Sequence, residues 1–180
     1  MASPNILLLP GWQNSGPAHW QSRWEHRYGD LRVEQHDWMF PLRGDWIARL
    51  EEVLLAQSGP SILVAHSLGC MLTAAWAAHS KNTHLVQGAL LVAPGDPERE
   101  ELRAALRSWS PIVQNRLPFK SLLLGSRNDP YCSFERAREF ATAWGCEFQD
   151  YGHTGHINAD SGLGDWPEGR TLLAQLAATR

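Results

Sequence analysis

Short runs of apolar residues alternate along the chain with stretches in which apolar residues recur every three or four positions. The runs are rich in Leu, Val and Ile and are bounded by Gly and Pro, which is typical of buried strands. Strands are predicted over residues 5–9 and 31–36, from Ser61 onward, and over residues 85–93, 119–124 and 146–149.

The stretches between the runs have the apolar spacing of amphipathic helices. Trp20, Trp24 and Tyr28 recur every four residues, and an Ala- and Leu-rich helix is predicted after Ser67. Further helix starts are predicted at Asp45, at Asp96 with Pro97, at Ser133 and at Pro167. Strands that alternate with helices predict an α/β fold, a parallel sheet with helices on both faces. Functional side chains are then expected at the carboxyl ends of the strands.

One such strand end carries a candidate nucleophile. Ala65-His66-Ser67-Leu68-Gly69 stands between an apolar run and a helical pattern, which is the context of the nucleophile elbow G-x-S-x-G. Small flanking residues are needed because the strand and helix backbones nearly touch there, and Ala65 replaces the first glycine. The alternative is a small-residue turn that only packs the helix on the sheet.

Asp129 and His156 follow later predicted strands, so that Ser67, Asp129 and His156 occur in the chain order of α/β-hydrolases. Asn128-Asp129-Pro130 is also ordinary turn chemistry. The spacing does not separate His156 from His153 on the same loop. Their H-x-x-H pattern lacks the further ligands of a zinc site, so no metal is expected. His66 is expected to pack the wall of the site rather than to act as a base.

The remaining parts of the site are assigned from the loops. The backbone N–H groups of Leu68 and Trp12 are the candidate oxyanion-hole donors, with Gly11 allowing the turn that aims the second. Trp12, Trp38 and Trp166 are candidates for an apolar acyl pocket. Core packing is the equally weighted alternative for each of these tryptophans.

The composition of the chain limits the number of domains, the partners and the location that can be expected. The chain has 180 residues, expected to form one domain over residues 1–180, with a net charge of −3 and three cysteines in no metal-binding pattern. Neither a nucleic-acid partner nor a membrane is indicated. A cytoplasmic location, no cofactor and a small-molecule acyl substrate are expected. A protein partner is not readable from the sequence.

Four blocks of the chain resemble a known family, the small serine hydrolases related to retinoblastoma-binding protein nine, which were formerly grouped as a domain of unknown function. The blocks are Leu9 to Trp12, Ala65 to Cys70, Ser126 to Tyr131 and Gly155 to Gly162. The resemblance implies a minimal α/β-hydrolase fold of about six mainly parallel strands, in the order 2-1-3-4-5-6, without a large lid domain. It also implies a triad of Ser67, Asp129 and His156, and thus favours His156 over His153.

The function expected from these features is serine hydrolysis through an acyl-enzyme, acting as a carboxylesterase on small acyl esters. Two alternatives remain open at this point. One is a protein-interaction module on a hydrolase scaffold with weak or vestigial catalysis. The other is an amidase or peptidase that uses the same triad.

Overall fold

A six-stranded, entirely parallel sheet forms the centre of the computed structural model, which describes residues 3–178. The strands are β1 (Asn5–Leu9), β2 (Leu31–Arg32), β3 (Ser61–Ser67), β4 (Val86–Pro94), β5 (Lys120–Gly125) and β6 (Glu147–Asp150). The helices are α1 (Trp20–Tyr28), α2 (Arg43–Leu55), α3 (Leu68–His79), α4 (Glu100–Arg103), α5 (Phe134–Trp144) and α6 (Pro167–Ala178). Short 3₁₀ turns cover Thr83–Leu85, Arg107–Trp109 and Ala159–Ser161.

The strand order is β2-β1-β3-β4-β5-β6, which confirms the predicted fold class and order. From β1 the chain adds β2 on one side, then crosses back to place β3 on the other. Ligands of open parallel sheets bind in the crevice at such a reversal, outside the carboxyl ends of the strands. The ends of β1 and β3 therefore mark the expected position of the site.

Successive residues of the central strands face opposite sides of the sheet, so each strand contributes side chains to two hydrophobic cores. Leu63 and Ala65 face the side covered by α2, α3 and α5, while Ile62 and Val64 face α1 and α6. Because both faces are covered by helices, these strands are apolar throughout. This continuous apolarity made them recognisable in the sequence.

The boundaries of β4, β5 and β6 each differ by one residue from the prediction, whereas β2 is much shorter than predicted. It spans Leu31–Arg32 instead of residues 31–36, followed by one more bond in which the Val33 N–H donates to the Leu8 carbonyl. β2 lies at the sheet edge and pairs with β1, which ends at Leu9 just before Pro10. β1 therefore offers β2 no further residues to pair with, and the apolar pattern at residues 31–36 predicted too long a strand.

Two predicted helix starts are wrong. α2 begins at Arg43, not at Asp45, because Ser108 from a distant segment accepts a hydrogen bond from the Arg43 N–H and takes over part of the capping. Asp96 caps only a turn, through the N–H of Glu98, and the four-residue helix α4 starts at Glu100. The starts at Ser133 and Pro167 are confirmed.

Among residues 3–178, no helix is long and apolar enough to cross a membrane.

The close approach of α3 to β1 can be tested by substituting Gly69 in α3 and, as a control, Gly44 in α2. A Cβ added at Gly69 would lie 2.2 Å from the Leu9 carbonyl oxygen, whereas one at Gly44 in α2 meets no atom within 4 Å. We expect Gly69→Ala to lower the free energy of unfolding by about 3 kcal/mol or more, because two backbones must separate. Gly44→Ala, the control, should leave it unchanged or raise it by up to about 1 kcal/mol. Urea denaturation measures both, and equal stabilities would contradict this account of the contact.

Candidate active site

Ser67 occupies a sharp turn between β3 and α3. Its backbone has φ +54° and ψ −119°, a conformation that residues with a Cβ rarely adopt. Such a conformation costs roughly 1–3 kcal/mol and persists where the surroundings impose it. Here β3 is paired on both sides, with β1 and with β4, up to the turn. The hydroxyl is thereby raised above the sheet edge beside the first N–H groups of α3.

Three glycines make room for this turn. A Cβ at Gly69 would clash with the Leu9 carbonyl, one at Gly11 would lie 2.8 Å from the Ser67 Cβ, and one at Gly95 would lie 2.9 Å from the Ser67 Oγ. Ala65, where the general motif has glycine, is fully buried in the sheet between Leu9 and Leu91. Its methyl group fits, so the departure from the motif does not prevent the turn.

Ser67, His156 and Asp129 form a continuous hydrogen-bonded chain. His156 Nε2 lies 2.9 Å from the Ser67 Oγ, and His156 Nδ1 lies 2.9 and 2.8 Å from the two Asp129 carboxylate oxygens. A carboxylate only accepts hydrogen bonds, so Nδ1 carries the proton and Nε2 of the neutral ring is free to accept from the serine hydroxyl. The side chains of His156 and Asp129 are 8% and 3% exposed. The end of β3 and the loops that follow β5 and β6 thus bring these groups together.

Asp129 combines the two roles that the sequence left as alternatives. Its Oδ1 accepts from the Tyr131 N–H at 2.8 Å, as in an ordinary Asx turn, while both oxygens contact His156. The neighbouring Asn128 Oδ1 accepts from the Gly155 N–H at 2.8 Å. The turn therefore fixes the carboxylate and also ties the histidine loop to β5.

The structure distinguishes His153 from His156, the two histidines of the loop after β6. His153 is exposed and does not line the cavity that contains Ser67. His66 does line it, as predicted, and its Nε2–H donates to the His156 carbonyl at 2.8 Å. Burial, with smaller contributions from His19 and His156, holds the pKa of His66 well below its usual value. His66 is therefore a neutral support for the backbone of His156.

The two predicted oxyanion donors lie at the start of α3 and in the loop after β1, which approach each other at Gly11. Leu68 is the first residue of α3, where N–H groups have no partner within the helix. The Trp12 N–H has no hydrogen-bond acceptor within residues 3–178, and the Trp12 indole donates to the Met39 carbonyl at 2.9 Å. A Cβ at Gly11 would lie 3.2 Å from the Leu68 nitrogen. Both N–H groups are thus near the serine and uncommitted.

A cavity of about 310 Å³ opens beside Ser67. Part of its wall is apolar, from Trp12, Leu102 and Leu106, and part is polar but uncharged. None of its described lining side chains is Asp, Glu, Lys or Arg. The full lining within residues 3–178 consists of Gly11, Trp12, Gln13, Asn14, His19, His66, Ser67, Leu68, Gly95, Leu102, Leu106, Tyr131, His156 and Asn158.

Two of the three tryptophans predicted to form an acyl pocket do not line this cavity. Trp166 is fully buried, stacked on Trp24 and hydrogen-bonded to the Tyr151 hydroxyl. Trp38 is half-buried and packs edge-on against Trp46. Trp166 is thus a core residue, and Trp38 is partly buried against the core on the other face of the sheet, because indole rings gain by covering apolar surface. Trp12 alone of the three lines the cavity.

Several lining residues were missed by the sequence analysis. Leu102 and Leu106 come from the irregular segment around α4, and no local pattern relates them to Ser67. His19 has a more recognisable local context than the two leucines. It directly precedes α1, and its side chain accepts a hydrogen bond from the Gln21 N–H as the helix N-cap. Gly95 directly follows β4, and a glycine at a strand end does not by itself indicate contact with Ser67.

Within residues 3–178 no group of three or more His, Cys, Asp or Glu side chains is arranged to hold a metal ion.

Comparisons with known proteins identify a family and similar structures. A family model described as serine hydrolase matches residues 6–175. The crystal structure of a YdeN-like hydrolase from Pectobacterium atrosepticum is similar, with a TM-score of 0.86 and 33% sequence identity over 97% of this chain and 91% of that chain. A search of curated proteins gives no significant match.

More distant structures share the fold. The ydeN gene product of Bacillus subtilis has a TM-score of 0.76 at 17% identity, covering 97% of this chain and 98% of its own. The carboxylesterase CesB of Bacillus subtilis has a TM-score of 0.68 at 12% identity, covering 99% of this chain and 85% of its own. At these identities the likeness extends to the fold alone.

The buried histidines beside His156 predict a pH-dependent stability. Burial, followed by the charges of His156 and Arg32, lowers the pKa of His19 to about 3. Between about pH 6.5 and 3 the unfolded chain then binds more protons than the folded one, so stability falls as the pH falls. We expect His19 to contribute a loss of roughly 2 kcal/mol between pH 7 and pH 5. His66 acts in the same direction.

Replacing His19 with asparagine, which also caps helices, should reduce this pH dependence of the unfolding free energy. The exposed His153 provides the control, since His153→Asn should leave the dependence unchanged. Denaturant titrations at several pH values measure the difference. The same slope in wild type and His19→Asn would show that His19 does not resist protonation in the folded state.

Proposed function

The chain belongs to the serine hydrolase family, and on that premise we propose that it hydrolyses small, uncharged acyl esters through an acyl-enzyme on Ser67. The observation that carries the proposal is the Asp129–His156–Ser67 chain, with hydrogen-bond distances of 2.8–2.9 Å, beside an uncharged cavity. The closer relationship to retinoblastoma-binding protein nine stays a prediction.

In the proposed mechanism, the Ser67 Oγ attacks the acyl carbon while His156 Nε2 takes the hydroxyl proton. Asp129 stabilises the resulting imidazolium and keeps the ring in the required tautomer. His156 then donates the proton to the departing alcohol. In the second half, His156 deprotonates a water molecule that attacks the acyl carbon. The bond from that carbon to the Ser67 Oγ then breaks, and His156 returns the proton to the serine oxygen as the acid leaves.

The negative charge that develops on the carbonyl oxygen needs donors at fixed positions. The N–H groups of Leu68 and Trp12 are proposed for this role, each worth roughly 3–4 kcal/mol in comparable sites. The first is directed by the elbow itself and the second by the turn at Gly11. Since both are backbone groups, substitution of their side chains would not remove them.

The lining and volume of the cavity support a limit on the charge and size of the acyl group. A charged acyl group would meet no compensating side chain among the described lining residues, and burying it would be costly. A volume of about 310 Å³ is at the lower end for ligand sites. Short, neutral acyl chains therefore fit best, with Leu102, Leu106 and Trp12 as the apolar contacts.

A fluorophosphonate probe tests whether the serine is active. We expect labelling of the wild type but not of Ser67→Ala, because the probe reacts only with an activated serine hydroxyl. Ser58→Ala, at an exposed serine, is the control and should label like the wild type. Asp129→Asn should lower the labelling rate by about 10³-fold or more, since it disturbs the tautomer of His156. A folded wild type that is not labelled would instead favour a binding module without catalysis.

The reaction and chain-length preferences can be measured with matched p-nitrophenyl esters and p-nitroanilides. We expect kcat/KM for the butyrate ester to exceed that for the decanoate by about tenfold or more, because the longer chain exceeds the cavity. The ester should also be turned over faster than the anilide of the same acid. Preference for the anilide would assign the triad to an amidase, and preference for decanoate would contradict the size limit.

A further inference from the structure

Trp12 lies in a tight turn that contains two strained residues. Gln13 and Asn14 have φ values of +68° and +65°, in the left-handed region that residues other than glycine seldom adopt. The Asn14 N–H donates to the Gly11 carbonyl at 3.1 Å and closes the turn. Left-handed conformations of this kind persist only where the surroundings impose them. The contacts that impose this turn therefore also set the direction of the Trp12 N–H.

Two sets of hydrogen bonds hold the turn from outside. The Gln13 N–H donates to the Trp38 carbonyl at 3.0 Å. At the end of the turn, the Nη1 of Arg32 donates to the Asn14 Oδ1 at 2.6 Å and to the Ser15 carbonyl at 3.0 Å. Arg32 thus grips the chain at two successive residues, one of them in the left-handed conformation.

The guanidinium of Arg32 is itself fixed on its other side. Its side chain is only 5% exposed. Nε donates to the Glu25 Oε2 at 2.9 Å, and Nη2 donates to the Ser22 Oγ at 2.6 Å and lies 2.8 Å from the Glu25 carboxylate. All three nitrogens are therefore engaged, and they connect the turn to helix α1. A planar guanidinium bonds in several directions at once, whereas a lysine offers a single nitrogen.

Arg32 does not belong to the site by contact. It is not among the described residues that line the Ser67 cavity, whereas Asn14 is. Any influence of Arg32 on the reaction must therefore pass through the turn.

We propose that Arg32 is a positioning residue, which acts through Asn14 and Ser15 to hold the Trp12 N–H as an oxyanion donor. Without this grip, the turn relaxes toward conformations that non-glycine residues prefer, and the N–H no longer points at the developing charge. The loss falls on the transition state, so it lowers kcat and leaves KM nearly unchanged. The inference rests on the proposed function and assigns the support of its second donor.

The test compares an ester with its thionoester, in which sulfur replaces the carbonyl oxygen. Sulfur is a weak hydrogen-bond acceptor, so an N–H in the oxyanion position stabilises the thionoester reaction much less. The ratio of kcat/KM values, oxygen over sulfur, is measured with p-nitrophenyl butyrate and its thiono analogue. Intrinsic differences in reactivity cancel when a variant is compared with the wild type.

For Arg32→Lys, which keeps the charge but not the fork, we expect kcat for the butyrate ester and the oxygen-to-sulfur ratio both to fall about tenfold. Arg170→Lys is the matched control. Arg170 pairs with Asp30, and its guanidinium lies 4.1 Å from the centroid of the Tyr28 ring. This variant should lower the melting temperature yet retain the wild-type ratio. An unchanged ratio in a folded Arg32→Lys would overturn the proposal.

A second variant keeps the test open if Arg32→Lys does not fold. Asn14→Gly removes the side chain that Arg32 holds, while glycine adopts a φ of +65° without strain. Since the Ser15 contact remains, we expect the ratio to fall less, by about threefold. A wild-type ratio in Asn14→Gly would contradict the route through Asn14.

The position of the donor can be observed directly by NMR. Butylboronic acid adds to the Ser67 Oγ as its proton passes to His156, and the anionic boronate places an oxygen where the oxyanion develops. The Trp12 amide proton should move downfield in the wild-type adduct, and less in that of Arg32→Lys or Asn14→Gly. No shift in the wild-type adduct would contradict the inference. If the wild type neither hydrolyses the ester nor forms the adduct, the proposed function fails. Hydrolysis with unchanged ratios and shifts in the variants removes only the role of Arg32.

Discussion

The close approach of two backbones, that of α3 at Gly69 and that of β1 at Leu9, is the constraint on which the site depends. It leaves no space for a side chain at Gly69, and it fixes where α3 starts relative to the sheet. Ser67 must then turn through a left-handed conformation to join β3 to α3. The strain is maintained by the pairing of β3 on both sides, so the proposed nucleophile is held in place by the most buried part of the fold.

The other functional groups are brought to this fixed point by shorter-range contacts. The Asx turn at Asp129 holds the carboxylate, Asn128 holds the backbone of Gly155, and His66 holds the carbonyl of His156. The first contact lies within one loop, the second joins two loops, and the third joins a loop to the end of β3. Since each hydrogen bond is worth only about 1 kcal/mol, the precision of the site comes from several such contacts acting together.

The central strands could be predicted because burial on both faces makes them continuously apolar, and the elbow because steric crowding demands small residues. Features that depend on distant partners could not be predicted. The length of β2 depends on where β1 ends, the start of α2 depends on Ser108, and the burial of Trp166 depends on Trp20 and Trp24. The cavity wall at Leu102 and Leu106 likewise comes from a segment whose irregular backbone carries no periodic signal.

That segment, from Glu100 to about residue 117, differs from the rest of the site in how it is built. It contains one four-residue helix and one 3₁₀ turn, and it connects β4 to β5 without contributing a strand. It supplies Leu102 and Leu106 to the cavity, while the proposed reacting groups are all held elsewhere. Insertion, deletion or exchange in this segment can therefore reshape the wall without moving Ser67, and new substrate ranges can arise while the proposed reacting groups stay in place.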